Sequence, residues 1–276
     1  MAMRENGAEE YIPENAPPLN EEQAIANLTS PDTGLRYYAA WWLGKFRVNS
    51  KAAVDGLIAA LEDEADRTEL GGYPLRRNAA RALGKLGDTQ AVDGLIKCLS
   101  SSDFYVREAS AQSLEMLRAS DAAPSLMQLL SGGVAAAVQV PGRPHLVQPY
   151  EAILEALGAI GAKEAISLIQ PFLEHPLPRV QCAAARAMYQ LTLDASYGDR
   201  LVKALDSDDL KLRRVALSDL GAIGYIAAAD AIAQAKVENS FKLIALKGLL
   251  EHQLPSLDVS LSEDTIRLMN LMDALL

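Results

Sequence analysis

The sequence contains few aromatic residues, few cysteines and no long apolar run. Aromatic side chains make up 5% of the 276 residues, whereas half of all residues are apolar, with Ala and Leu the most frequent. This composition favours helices packed through small side chains over β-sheets filled with bulky ones. No apolar run reaches the roughly 18 residues that a membrane-spanning helix needs, so no transmembrane helix is expected.

Cysteines and basic residues are too scarce for several classes of protein. Cys98 and Cys182 cannot build a disulfide framework or a zinc site, so we expect a reducing cytoplasm and no metal centre. The net charge of -10 argues against a nucleic-acid partner, because phosphate binding requires a basic face. Residues 1–20 lack an apolar core and are interpreted as a flexible leader, not as a signal peptide.

Internal similarity is the strongest signal in the sequence. Six segments align without gaps and begin 31 to 43 residues apart, which indicates a period of about 31 residues with two insertions. Most of these segments are followed by a turn and a second apolar run at helical spacing. The segments are LRYYAAWWLG from Leu35, LRRNAARALG from Leu75, VREASAQSLE from Val106, PYEAILEALG from Pro149, VQCAAARAMY from Val180 and LRRVALSDLG from Leu212.

The pattern predicts stacked helical pairs, because neither helix of a pair can bury its apolar face alone. It resembles HEAT repeats and favours an all-α solenoid of HEAT-like pairs, coiled as a right-handed, crescent-shaped superhelix. We expect the solenoid to span residues 21–254 and residues 255–276 to form a C-terminal helical tail or cap. The predicted core columns consist of Ala39, Ala79, Ala109 and Ala183, and of Leu43, Leu83, Leu114 and Leu220.

One column places an arginine at the start of several segments, often after an Asp of the preceding turn. Pairs of this kind usually set the angle at which helices stack and carry no chemistry, so we expect a structural role. The column consists of Arg36, Arg76, Arg107 and Arg213.

Trp41 breaks a column of otherwise polar residues that we expect to face solvent. Two interpretations remain open: neighbouring chain covers the ring, or the ring belongs to an exposed aromatic patch for a flat ligand or a partner protein. Trp42 replaces small residues and is expected to be buried. Cys182 falls in a charged column and is expected to be exposed, whereas Cys98 lies beside apolar positions and should be a core residue.

The insertions are the largest departures from the repeat. The first insertion, residues 64–74, is polar and Gly-rich, and the second insertion, residues 132–149, is long and Pro-rich. Long loops in compact proteins are usually functional or disordered. The second insertion and the residues after it hold a set that could bind a carboxylate or move a proton, unless its arginine and histidine only cover a mobile loop. This set consists of Arg143, His145, Tyr150 and Glu151.

No Ser-His-Asp set, Gly-rich phosphate loop, HExxH or CxxC motif is present, so motifs alone do not indicate an enzyme. Several stretches nevertheless resemble the HEAT-repeat bilin lyases of phycobilisome biogenesis, from about Glu21 to the 240s. The double-Trp segment is much more specific than the generic repeat. The stretches are LRYYAAWWLG, YPLRRNAARALGKLGD, DFYVREASAQSLEML and PYEAILEALGAIG.

The resemblance implies a heterodimer with a related, shorter β-type lyase subunit in the cytosol of a cyanobacterium. Such a pair holds phycocyanobilin as a bound substrate, without a permanent cofactor, and joins it by a thioether to a cysteine of the phycocyanin α subunit. It can also detach or transfer the bilin. The nucleophile then belongs to the substrate, which explains why the chain shows no catalytic constellation.

Within this resemblance, residue type and position suggest roles for individual side chains. Arg143, or one of Arg76 and Arg77, would bind a propionate of the bilin as a fork. Trp41, Tyr73 and Tyr150 would stack on the pyrrole rings or contact them edge-on. His145 or Glu151 would protonate the bilin or help to deprotonate the thiol. Exposed apolar residues of the C-terminal region are candidates for the contact with the partner subunit, namely Phe241, Leu243, Leu246, Leu249, Met269 and Met272.

Two alternatives remain open on the sequence. A HEAT-repeat adaptor or chaperone without enzymatic activity would explain the fold, the acidity and the missing motif, but not the insertions. A related lyase-isomerase subunit that acts on phycoerythrocyanin, or a bilin-detaching subunit, would share every feature described above.

Overall fold

The structure is a computed structural model that describes residues 19–254 and 262–276. These residues fold as α-helices joined by turns and short 3-10 helices, and their extended pairing is limited to an isolated bridge between Gln139 and Leu146. The prediction of an all-α fold is confirmed. The expected leader over residues 1–20 and the start of the expected tail lie mostly outside the described residues.

The helices fall into two compact units, Met1–Ala122 and Ala123–Leu276. In the first unit they are α1 Glu21–Asn27, α2 Thr33–Lys45, α3 Lys51–Ala60, α4 Pro74–Leu86, α5 Val92–Cys98 and α6 Phe104–Met116. In the second they are α7 Ala123–Leu129, α8 Gly133–Ala136, α9 Tyr150–Ala159, α10 Ile166–Ile169, α11 Pro178–Thr192, α12 Ala195–Ala204, α13 Leu210–Ile223, α14 Ala229–Gln234, α15 Asn239–Gln253 and α16 Glu263–Asp273. Short 3-10 helices cover Thr89–Ala91, Ser120–Ala122, Lys163–Ala165, Gln170–Glu174 and Ile226–Ala228.

Aspartates begin several of these helices. Asp32, Asp103 and Asp209 are the N-caps of α2, α6 and α13, and each Oδ1 accepts a backbone N–H of the first turn at 2.8 Å. Such caps satisfy donors that the helix itself leaves unpaired. Gly87 and Gly161 take φ angles of 78° at the turn between two helices of a pair, a backbone conformation that favours glycine.

Within each unit, the first helices of successive pairs form a closely packed row. The row contains α2, α4 and α6 in the first unit and α9, α11, α13 and α15 in the second. Glycines allow the close approach, since a Cβ on Gly44 would lie 2.8 Å from Ala82 Cα. The predicted alanine and leucine core columns are buried in these rows and are confirmed.

The arginine column fastens neighbouring pairs together. Each guanidinium donates a hydrogen bond back to a backbone carbonyl at or just after the end of the preceding helix, which ties that helix end to the next helix. The expected structural role is confirmed. The bonds join Arg36 Nε to Leu28 O at 3.1 Å, Arg76 Nε to Asp63 O at 2.6 Å, Arg107 Nη1 to Ser101 O at 2.6 Å and Arg213 Nη1 to Ser207 O at 2.5 Å.

Three predictions of exposure need correction. Cys182 is 5% exposed, not exposed as expected, and burial raises the pKa of its thiol to about 12. The column that was expected to face solvent contains Arg186, which is buried because it lies 3.4 Å from both Glu155 and Asp219 on the adjacent helices. Trp42 is half-buried instead of buried, whereas Cys98 is buried as predicted. Among the residues that the structure describes, no helix is long and apolar enough to cross a membrane.

Candidate functional site

Helix α2 carries a group of aromatic rings at the surface of the first unit. Trp41 is half-buried and stacks on Tyr38 with ring centroids 5.4 Å apart, and Trp42 lies 4.8 Å from Phe46, which is 60% exposed. We call these four residues the α2 aromatic surface. The rings form two pairs, and the half-buried Trp41 ring remains partly accessible to solvent.

The first insertion is tied to its own unit by a buried tyrosine. Tyr73 is buried, its backbone N–H donates to Asp103 Oδ2 at 2.7 Å, and its hydroxyl donates to Glu64 Oε2 at 3.1 Å. Asp66 closes the loop by accepting from Leu75 N–H at 2.6 Å. These bonds make the Tyr73 ring part of the support of the insertion, so its face is not open to a pyrrole.

The two neighbouring arginines of α4 have different surroundings. The Arg76 guanidinium lies 4.2 Å from the centroid of the Tyr73 ring, pairs with the Glu64 carboxylate and donates to the Asp63 carbonyl. This arrangement occupies its donors, and the hydrogen bond from Arg76 lowers the pKa of Glu64. Arg76 therefore has a structural role in this structure.

Arg77 is half-buried, and its Cζ lies 5.9 Å from the centroid of the Tyr105 ring. Its Nε is enclosed without a hydrogen-bond partner among the described residues. A buried guanidinium N–H without an acceptor costs free energy, and nothing in the packing of Arg77 offsets this cost at Nε. Of the two arginines, Arg77 remains the candidate for binding a propionate.

After helix α8, the second insertion forms a short hairpin with an exposed tip. Arg143 N–H donates to Val140 O at 3.0 Å, and the turn between them contains Pro141 and Gly142, whose φ of 72° fits a type II turn. Val140 N–H in turn donates to His145 O at 3.1 Å. The Arg143 side chain is exposed at this tip, where a ligand can reach its guanidinium.

His145 lies at the start of the returning part of the hairpin. Its side chain is half-buried, and its Nδ1 donates to Leu146 O at 2.8 Å. This bond fixes the proton on Nδ1 whenever the ring is neutral, so a neutral ring presents Nε2 as the acceptor. The second insertion thus brings a guanidinium and an imidazole to one hairpin.

The base of the second insertion is buried on aromatic rings. Tyr150 is 2% exposed, and its ring centroid lies 5.4 Å from that of Phe172. Ala137 and Leu146, at the two sides of the hairpin, are also buried. Tyr150 therefore supports the hairpin and offers no ring face on which a pyrrole could stack.

Sequence reasoning missed His175, which is 2% exposed and lies below the second insertion. Its Nε2 donates to Ala137 O at 3.0 Å and its Nδ1 accepts from Leu177 N–H at 3.1 Å. The residue lies outside both insertions and outside the aligned columns. The one available signal is that histidine is rare in this chain, with three in 276 residues.

Glu151 follows Tyr150 in the first turn of α9. Burial raises the pKa of its carboxyl above the ordinary value, while the Arg179 guanidinium, whose Nε lies 2.5 Å from Oε1, acts in the opposite direction. A carboxyl with a raised pKa keeps its proton closer to neutral pH, which suits a group that gives or takes a proton.

The candidate partner-binding residues differ in exposure. Leu246 and Leu249 are fully buried against α13, so the expectation that they are exposed is wrong: they form the core of the α13–α15 packing. Phe241 is half-buried beneath the Arg214 guanidinium, whose Cζ lies 4.7 Å from the ring centroid, and Leu243 is half-buried as well. On α16, Met272 is half-buried as well and Met269 is 44% exposed, which makes Met269 the most accessible of these candidates.

Comparison with family models places HEAT repeats along much of the chain. The model described as HEAT repeats matches residues 73–139 and 148–221, and the model described as PBS lyase HEAT-like repeat matches residues 35–63. The first match agrees with the helical rows described above, and the second covers α2 and α3 with the double Trp.

Full-length relatives agree with these matches. The phycocyanobilin lyase subunit alpha of Nostoc sp. strain PCC 7120 is 73% identical over 99% of this chain and 100% of its own length. The bilin biosynthesis protein PecE of Mastigocladus laminosus is 48% identical over 85% of this chain and 82% of its own length. A chain in the solved complex of CpcE and CpcF of phycocyanin lyase from Nostoc sp. PCC7120 superposes with a TM-score of 0.90 at 73% identity, covering 98% of this chain and 100% of that chain.

Proposed function

Since the chain belongs to the family of phycocyanobilin lyase alpha subunits, we propose that it is one half of a heterodimeric lyase. The heterodimer binds phycocyanobilin and attaches it to a cysteine of the phycocyanin α subunit during phycobilisome assembly in the cytoplasm. The observation that carries this proposal is the similarity along the whole chain to a subunit of this name, with a solved relative in complex with a second subunit.

The reaction is an addition and needs no oxidant or reductant. The thiol of the substrate cysteine adds to a carbon–carbon double bond of the bilin: a sulfur–carbon bond forms, and a proton is added to the neighbouring carbon. Cys98 and Cys182 of this chain are buried, and burial raises the pKa of both thiols, so neither is suited to act as the nucleophile. The chain contributes mainly by holding the two reactants in the reactive geometry.

The second insertion supplies the main contacts in this proposal. Arg143, exposed at the tip, binds one propionate of the bilin as a planar fork. His145, on the same hairpin, and Glu151, at the start of α9, carry the proton between the thiol and the bilin.

The first unit, taken by itself, offers a separate set of candidate bilin contacts. In that set Arg77 is the candidate for a propionate and Trp41 the candidate for a pyrrole ring. Tyr73, Arg76 and Tyr150 now take supporting roles, because their rings and donors are already in use.

The contact with the β-type subunit is assigned to the C-terminal region. The exposed side of α16, with Met269 and Met272, and the half-buried Phe241 offer apolar area beside polar groups, as protein interfaces do.

The similarity to PecE favours one second candidate, a subunit of a lyase that acts on phycoerythrocyanin. The two functions differ in the acceptor protein and in the structure of the attached bilin. The absorption spectrum of the product therefore distinguishes them.

Attachment in a reconstituted system tests the proposal. The chain, its β-type subunit, the phycocyanin α subunit and phycocyanobilin are combined, and covalent colour on the α subunit is measured after denaturing electrophoresis. Controls omit this chain or replace the acceptor cysteine by Ser, and both should abolish the colour. A heterodimer that forms but neither binds bilin nor attaches it would contradict the proposal and favour a non-enzymatic adaptor.

A further inference from the structure

The hairpin of the second insertion is held on both sides by one group of buried side chains. Before the hairpin, Ala137 O accepts from His175; after it, the Tyr150 ring packs on Phe172. Phe172 also stacks on His175, with centroids 6.2 Å apart. The residues on both sides of the hairpin therefore rest on one continuous group of packed rings.

The hydrogen bonds of His175 define its tautomer. A backbone N–H can only donate, so Nδ1 is the acceptor for Leu177 and the proton lies on Nε2, which donates to Ala137 O. An apolar side chain would fill the same space but would leave that carbonyl and that N–H unpaired. Gln181 Nε2 donates to His175 O at 2.7 Å and fixes the backbone that carries the ring.

A displacement at the base is transmitted to the tip because the hairpin is internally bonded. Val147 N–H donates to Val138 O at 3.0 Å and Val140 N–H donates to His145 O at 3.1 Å, so the two sides of the hairpin move together. Glu151 directly follows Tyr150 in the first turn of α9, so its backbone is held by the same packed rings.

We infer that His175 is a positioning residue for bilin attachment: its Nε2–H to Ala137 bond sets the orientation of the hairpin that carries Arg143 and His145 relative to Glu151. The inference rests on the proposed function of the chain. His175 touches neither reactant in this scheme and acts through the backbone of the insertion. Misplacement of reacting groups by about 1 Å can slow a reaction by about a hundredfold, so a single buried hydrogen bond is enough to matter.

Two near-isosteric variants separate the two bonds of the imidazole. In His175→Gln the amide nitrogen reaches the position of Nε2 and keeps the donor to Ala137 O. In His175→Asn the amide oxygen takes the position of Nδ1 and keeps only the acceptor for Leu177 N–H. The exposed His252 on α15 provides the matched control, His252→Asn.

The experiment uses the heterodimer with the β-type subunit and measures the single-turnover rate of attachment at saturating phycocyanobilin, per folded heterodimer. We expect His175→Gln and the control to stay within about threefold of the wild type, and His175→Asn to be slower by about tenfold to a hundredfold. Hydrogen exchange of residues 138–148 should become faster in His175→Asn alone. Equal slowing in both His175 variants, or a wild-type rate in His175→Asn, would overturn the inference.

A variant at the tip keeps the test decisive if His175→Asn does not fold. Gly142→Ala strains the turn at a φ of 72° without touching the buried base, so it should slow attachment while Ala137 and Tyr150 keep the hydrogen-exchange protection of the wild type. A wild-type rate in Gly142→Ala would show that the orientation of the hairpin does not matter. Failure of the wild-type heterodimer to attach bilin would instead refute the proposed function.

Discussion

Both insertions interrupt the repeat pattern, each at a different junction between helical pairs, but their polar residues make different contacts. In the first insertion the tyrosine and its neighbouring arginine are consumed by bonds to Glu64, Asp63 and Asp103. In the second insertion the base is buried and the tip leaves Arg143 exposed. A break in periodicity thus marks a segment with a role other than helix stacking. Its contacts indicate whether the polar side chains are used within the fold or remain exposed to a ligand.

The largest effect is expected at the support of the first insertion. Asp103→Ala removes the N-cap of α6 and the acceptor for the buried Tyr73 N–H. The lost helix cap and the unpaired buried donor each destabilise the folded state. Together they should lower the free energy of unfolding by about 2–4 kcal/mol, measured by urea titration. Asp209→Ala removes a cap alone and should cost about 1 kcal/mol. Equal losses in the two variants would show that the bond to Tyr73 contributes nothing.

A substitution at the tip of the second insertion should weaken bilin binding and leave the stability of the fold unchanged. Arg143→Ala removes a charge-assisted fork worth about 1.5–3 kcal/mol, so the affinity of the heterodimer for phycocyanobilin should fall by about tenfold to a hundredfold. The urea midpoint should not change, because the side chain is exposed. Lys203→Ala on α12 is the control for a lost surface cation. An unchanged bilin affinity in Arg143→Ala, measured by visible absorbance titration, would remove the tip from the binding site.

A smaller effect is expected from the α2 aromatic surface. Trp41→Leu keeps an apolar side chain but removes the ring proposed to stack on a pyrrole of the bilin, and an aromatic contact is worth about 0.5–1.5 kcal/mol beyond its buried area. Bilin affinity should therefore fall by about threefold to tenfold. Phe46→Leu, at the exposed end of the same surface, should leave it unchanged. If both variants weaken binding alike, the surface acts as a whole and Trp41 has no special role.

The smallest effect concerns the pH dependence of stability. Burial raises the folded-state pKa of Glu151 above the value of 4.5 expected for an exposed glutamate, so the folded state binds the proton more tightly than the unfolded state does. Its contribution is fully present below pH 4.5 and is lost as the pH rises through the folded-state pKa. The Glu151→Gln variant should not show this loss. The free energy of unfolding of the variant, relative to that of the wild type, should therefore rise as the pH increases from 4.5 through the folded-state pKa of Glu151.

The opposing ion pair gives the control for this prediction. Arg179→Gln removes the cation that lowers the pKa of Glu151, so the loss of stability should extend to higher pH. A difference between wild type and Glu151→Gln that stays constant with pH would mean that the carboxyl does not titrate differently in the folded state.

The repeat itself could be predicted from the sequence because its determinants are local and periodic. The leucine and alanine columns, the aspartate caps and the glycine turns all follow from spacing along a helix. The arginine column was predictable for the same reason, since each member reaches back to the helix end that precedes its own helix.

The site was less predictable because its burial depends on partners far along the chain. Tyr73 is fixed by Asp103, 30 residues away at the start of the next pair, and Ala137 by His175, 38 residues away. The repeat pattern brings successive pairs together but does not reveal which side chains bond across them. Cys182 was assigned to the surface for this reason too, since its column is charged in other repeats but is covered here. Residue type could therefore suggest Arg143 and Glu151, but not the support that holds them.

The most direct test is a hydrogen-exchange comparison of the heterodimer with and without phycocyanobilin. If the second insertion holds the bilin, residues 138–148 should become protected when the bilin is added, while residues 64–73 should exchange at an unchanged rate. Protection of residues 64–73 without any change in residues 138–148 would contradict the assignment of the bilin to the second insertion.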